Sequence, residues 1–174
     1  MARHVERKPL GTPYPELASR VAEIATGVCE RGGDGSSPLL YLDATGVGTP
    51  ILDLLKSARV RARLVAVYFS HGDRRTLVDG EVRLGKAWLV SRMQALLQQG
   101  LLHLPKTPEA EQLGRELLDF EIKVSEDAND RYGAFKVGSH DDLVTALGLA
   151  VQEDRAPVIA APRVSGYRES WWRL

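Results

Sequence analysis

Two short, unbroken apolar runs constrain this chain more than anything else in it: Leu39-Leu40-Tyr41-Leu42, and Leu64-Val65-Ala66-Val67-Tyr68-Phe69 behind Arg63. A strand that buries one face alternates apolar and polar side chains, whereas a strand covered on both faces has no polar side to show. Both runs are therefore expected to be strands covered on both faces, as parallel sheets require. Between them, Gly46, Gly48 and Pro50 shape a loop, and Pro50 suits the first turn of a helix carrying Ile51, Leu54 and Leu55. Strand, helix and strand make a crossover, for which parallel pairing is expected. The length of 174 residues suits one such α/β domain.

Elsewhere helical spacing dominates. Leu17, Val21, Ile24, Ala25 and Val28 recur at helical intervals after Gly11-Thr12-Pro13-Tyr14-Pro15, with Thr12 as the cap and a stop expected before Arg31-Gly32-Gly33-Asp34-Gly35. Asp79-Gly80 lies between Thr76-Leu77-Val78 and Glu81-Val82-Arg83-Leu84, and both residues tolerate positive φ, so a small projecting hairpin is expected. Lys86–Gln99 reads as a helix with Leu89, Met93, Leu96 and Leu97 inward and Gly100 as its stop. A short strand at Leu101–Leu104 and a helix over Pro108–Leu118 follow. Phe120–Val124 and Tyr132–Val137 are expected to pair across the polar loop Ser125–Arg131. The last helix, starting near Ser139, should bury Leu143, Val144, Leu147, Ala150 and Val151. Met1–Leu10 alternates loosely, as a strand would. Periodicity ends near Asp154, so one domain is expected over residues 1–154, followed by an irregular tail over 155–174. The Trp171-Trp172 pair in that tail either docks back onto the domain or meets a partner.

Composition removes several function classes. No window approaches the run of about 20 apolar residues that a membrane span needs, and basic Met1–Leu10 has no apolar segment typical of a secretory signal. No membrane association is expected, and cytoplasm is the default location. The single cysteine, Cys29, sits in an apolar helical pattern; alone it forms neither an intramolecular disulfide nor a thiolate metal cluster. Lysine and arginine total 23 against 23 aspartate and glutamate. A chain that grips nucleic acid over its whole surface carries a positive excess, so any DNA contact must be local. Arg59, Arg61 and Arg63 offer one basic cluster, and Arg74, Arg75, Arg83 and Lys86 another, although such clusters more often serve as solvated faces.

Two acidic positions carry the chemistry. Asp43 ends the first apolar run, at the edge where open α/β sheets bind ligands, although an aspartate there also suits capping of the following loop. The glycine loop after it is no P-loop, since it continues Gly48-Thr49-Pro50 in place of Gly-Lys-Ser/Thr. Ser139-His140-Asp141-Asp142 opens the last helix. Ser139 and Asp142 fit a capping box with Asp in place of Glu, which mildly favours Asp142 as structural, yet two adjacent carboxylates also suit Mg²⁺ or Mn²⁺. If both positions converge on one sheet edge, paired divalent ions about 4 Å apart would assist phosphodiester cleavage. Lys86 could then reach a phosphate, and His140 could bind metal, shuttle a proton or contact DNA. His71 and His103 are isolated.

Leu40-Tyr41-Leu42-Asp43-Ala44-Thr45-Gly46-Val47-Gly48 and His140-Asp141-Asp142-Leu143-Val144-Thr145-Ala146-Leu147 together resemble the nuclease domains of phage terminase large subunits. Tyr14-Pro15-Glu16-Leu17, the Asp79-Gly80 hairpin, Gly85-Lys86 and Glu116-Leu117-Leu118-Asp119-Phe120 are similar in order, and the likeness spans Arg3 to Gln152. It implies a ribonuclease-H-like, integrase-type mixed sheet flanked by helices. It also implies endonucleolytic cutting of concatemeric double-stranded viral DNA during packaging in the host cytoplasm, with a two-ion Mg²⁺ or Mn²⁺ site. By this resemblance Asp43 matches the family's second acid, Asp141 or Asp142 its last-helix acid, and His140 the histidine adjoining that acid. The family's first acid lies on an upstream strand to which Met1–Lys8 and Glu6 offer no match, and its ATPase domain has no counterpart in this sequence. The chain is therefore expected to be a fragment, a split gene product or a prophage remnant, with an incomplete ion site and weakened or lost activity. A homodimer or a separate ATPase or terminase component would cover its open sheet edge. Two functional classes follow: a metal-dependent DNA endonuclease, or a catalytically inactive nuclease-like module that binds DNA or protein.

Overall fold

The computed structural model describes residues 1–32, 37–46, 48–70, 72–123, 131–133 and 141–153. In chain order these form α1 (Tyr14–Gly32), β1 (Leu39–Asp43), α2 (Gly48–Ser57), β2 (Arg63–Ser70), β3 (Arg75–Val78), β4 (Glu81–Gly85), α3 (Lys86–Gln98), α4 (Pro108–Asp119), β5 (Glu121–Lys123), β6 (Arg131–Gly133) and α5 (Asp142–Val151). The architecture is α/β: a mixed, open sheet in the order β1-β2-β4-β3, a separate β5-β6 pair, and five helices among the described residues.

The two apolar runs pair in parallel as expected, from Leu39 opposite Arg63 to Asp43 opposite Val67. β4 continues the parallel set beside β2, and β3 closes it antiparallel to β4. Residues opposite each other in register share a face. Tyr41, Asp43, Val65, Val67, Phe69, Val82 and Leu84 therefore lie on one face. There Val67, Val82 and Leu84 join Leu89, Val90 and Met93 of α3, Leu113 of α4, and Leu143, Val144, Leu147 and Leu149 of α5 in the main core. On the other face Ala66 packs with Ala44 and Leu52, supported by Leu42, Leu64 and Tyr68. Helices on both faces are the physical reason the β1 and β2 sequences carry no alternating polar positions.

Several expectations needed correction. The hairpin does form at Asp79 (φ 51°) and Gly80 (φ 82°), but it does not project. β4 is an interior strand of the main sheet, because alternate Val82 and Leu84 are apolar and can bury against α3 and α5. Met1–Leu10 and Leu101–Leu104 are irregular, and the Ala2 amide donates to the His103 carbonyl at 2.8 Å. Thr12 does not cap α1; its hydroxyl donates to the Pro9 carbonyl at 2.7 Å and closes a turn before the helix. α1 runs on through Arg31 and Gly32. In α3, Val90 takes the inward place assigned to Leu97, which is 46% exposed. The α3 stop was read correctly: Gly100 (φ 66°) lets its own amide reach the Leu97 carbonyl and the Leu101 amide reach that of Leu96, a Schellman closure. In α2 the deepest residues are Leu52 and Leu55, and in α5 Ala150 is exposed while Leu149 is buried. β6 pairs antiparallel with β5 at Arg131–Gly133; residues 134–137, the rest of the expected strand, lie outside the described residues. So do Ser139, His71, His140 and the tail with Trp171-Trp172.

Candidate active-site cleft

A cleft of about 590 Å³ runs along β1 and under α5. All five β1 residues, Leu39 through Asp43, line one wall, and Asp141, Asp142, Thr145, Ala146, Leu149 and Ala150 of the α5 region line the other. Phe69 and Lys86 complete it, with the Lys86 ammonium 5.7 Å from the centre of the Phe69 ring, within range of a cation–π contact. Topology explains the convergence. β1, β2 and β4 run in the same direction, so Asp43, Phe69 and the β4–α3 junction carrying Lys86 all fall at the carboxyl end of the parallel strands.

Asp43 fills its capping role and keeps capacity for more. One carboxylate oxygen accepts from the Thr45 amide at 2.9 Å, and the Thr45 hydroxyl accepts from the Phe69 amide at 2.9 Å. The Ala44 amide donates to the Val67 carbonyl at 2.8 Å, tying the strand end to β2. These bonds hold the carboxylate in one orientation. An ionised carboxylate has about four lone-pair sites, so the contact leaves oxygen free for a ligand.

The first turn of α5 is arranged differently from the capping box that Ser139 and Asp142 suggested. Asp141 occupies the cap position (φ −129°, ψ 13°), yet its side chain makes no capping hydrogen bond. The cap comes from another helix: Glu116 of α4 accepts from the Leu143 amide at 2.9 Å in a buried contact, and its second oxygen accepts from the Arg7 guanidinium. Arg7 also lies 3.8 Å from an Asp142 carboxylate oxygen. Sequence reasoning missed Glu116 and Arg7. The available signal was the spacing Ala110, Leu113, Glu116, which sets an acid on the buried stripe of α4.

The basic residues do not form one patch. Lys86 lines the cleft. Arg75 is tied to the end of α5, donating to Gln152 at 3.0 Å and to Glu153. Arg83 alternates with buried Val82 and Leu84, so it lies on the sheet face opposite Asp43. Arg74 is exposed before β3. The N-terminal segment is pinned by ionic contacts: Glu6 accepts from Arg20 of α1 at 2.8 and 3.1 Å and contacts His4 at 3.0 Å. Arg20 first and His4 second hold the Glu6 carboxyl down from 4.5 to about 2.

Among the described residues no three His, Cys, Asp or Glu side chains gather closely enough to enclose a metal ion, and no helix is long and apolar enough to cross a membrane. No protein-family model, curated protein or solved structure matches the chain.

Proposed function

We propose that this chain is a ribonuclease-H-like nuclease domain similar to that of phage terminase large subunits, and that it hydrolyses phosphodiester bonds of double-stranded DNA at the β1–α5 cleft. The observation that carries this reading is the joint lining of one cleft by Asp43, Asp141, Asp142 and Lys86, from three separate segments. The parallel core with helices on both faces and the acid at the strand's carboxyl end support it.

The donor set fits a hard divalent cation. Mg²⁺ keeps several waters and takes one or two carboxylates from protein, so Asp43 with Asp141 or Asp142 would hold one ion without a three-acid cage. When bound, Mg²⁺ or Mn²⁺ supplies an activated water and charge stabilisation at the phosphate. The chain's own residues orient the substrate. Lys86 meets a phosphate oxygen as a point charge at the cleft wall, and Asp43 is kept in place by Thr45. His140, next to Asp141 in the sequence, is assigned proton transfer, and exposed Arg74 a contact to flanking DNA, while Arg83, on the sheet face opposite Asp43, lies away from the cleft. Arg75 serves the fold through Gln152 and Glu153.

A second reading is a catalytically inactive module that binds DNA or protein, with Lys86 in the cleft and exposed Arg74 as its DNA contacts. Plasmid nicking separates the two. The nuclease reading expects Mn²⁺-dependent conversion of supercoiled plasmid, reduced at least about 100-fold in Asp43→Asn, the scale on which loss of a single catalytic electrostatic group falls. Absence of nicking by the wild-type chain, with retained DNA binding, selects the inactive module.

A further inference from the structure

The α5 helix starts beside two carboxylates of its own, yet neither caps it. Glu116 does, from α4, with a side chain only 10% exposed that accepts from the Leu143 amide and from Arg7. Arg7 reaches past it to Asp142, whose side chain is 72% exposed. Asp141 is half-buried, lines the cleft and enters no ion pair among the described residues. The Arg7 Nε has no hydrogen-bond partner among the described residues, so this guanidinium is placed by its two carboxylates alone.

We infer that Glu116 is a positioning residue: it caps α5 in place of the helix's own acids and, with Arg7, engages Asp142 in a structural ion pair, leaving Asp141 as the α5 carboxylate that joins Asp43 in the cleft. The inference rests on the cation-binding reading of that cleft and sharpens it, because it chooses between two adjacent acids. The physical reason is competition for lone pairs. An acid that caps a helix or neutralises an arginine has fewer oxygen sites for a ligand, and a buried acid on a neighbouring helix that takes over both tasks releases one of the local pair. Glu116 also fixes the first turn of α5 against α4, so the direction in which Asp141 leaves the helix depends on a contact made outside the cleft.

Mn²⁺ binding followed by the loss of its free-ion electron paramagnetic resonance signal tests this on the full chain, with the folded fraction read by circular dichroism. Asp141→Asn is expected to weaken Mn²⁺ binding at least about 10-fold and Asp142→Asn by less than about 3-fold, since losing a direct ligand outweighs losing an outer partner. Glu116→Gln retains an oxygen acceptor for the Leu143 amide and is expected to bind Mn²⁺ near the wild-type level. Glu116→Ala, per folded molecule, is expected to bind about 10-fold more weakly. If Glu116→Ala does not fold, the Asp141/Asp142 comparison decides alone. Wild-type Mn²⁺ binding that is lost in Asp142→Asn and kept in Asp141→Asn overturns the inference while leaving the cleft reading intact. A wild-type chain that binds no Mn²⁺ overturns both.

Discussion

Asp43 and Glu116 are both acids with assigned hydrogen bonds, yet only one was visible from sequence. Asp43 was legible because it directly follows an apolar strand run, a position that faces the ligand-binding edge of a parallel sheet. Glu116 was hidden because its two partners, Arg7 and Leu143, lie 109 and 27 residues away along the chain. Glu6 gives the residue scale its own test. Arg20 and His4 lower its carboxyl to about 2 from the ordinary 4.5, so the folded state binds this proton less readily than the unfolded chain. The stabilisation is then fully present above about pH 4.5 and is lost as pH falls through about 2. Urea unfolding from pH 6 to pH 2 should show wild type more stable than Glu6→Gln at pH 6, with the gap closing below about 4.5. A gap that stays constant across that range would show that Glu6 keeps its ordinary carboxyl.

At the scale of elements, close packing of α5 on α3 sets the cleft's second wall. Gly148 permits it: a Cβ there would come within 2.3 Å of the Leu89 side chain. Gly148→Ala should therefore lower stability by about 1–3 kcal/mol through overpacking, measured from the urea midpoint, and should displace the helix that carries Asp141 and Asp142. A midpoint equal to that of wild type would mean that Leu89 yields without cost. The elements themselves were largely legible, since buried strands and amphipathic helices write their environment into local spacing. The place of β3 and β4 was not. Asp79-Gly80 specifies that a hairpin forms, but whether the hairpin stands apart or joins the sheet depends on β4 meeting β2 across the register Val67–Val82 to Ser70–Gly85. No local pattern encodes that pairing. The Met1–Leu10 segment misled for a related reason: its alternation serves ionic anchoring through Glu6 and Arg7, not a ladder of backbone bonds.

For the whole molecule, the fold brings together what the sequence separates. Asp43 and Asp141 are nearly a hundred positions apart, and Lys86 lies between them; the parallel order of β1, β2 and β4 and the packing of α5 on the main core deliver all three to one cleft. β1 is an outer strand of the sheet, so the cleft follows a sheet edge that has no further strand among the described residues. The proposed function rests on that cleft taking a divalent cation. The most direct measurement is an anomalous difference map from crystals of the chain soaked in Mn²⁺. The expected result is a peak in the cleft at about 2–2.5 Å from an oxygen of Asp43 and an oxygen of the α5 acid, the range for hard cations on carboxylates. Mn²⁺ bound at another site with the cleft empty, or no peak at saturating Mn²⁺, would contradict it.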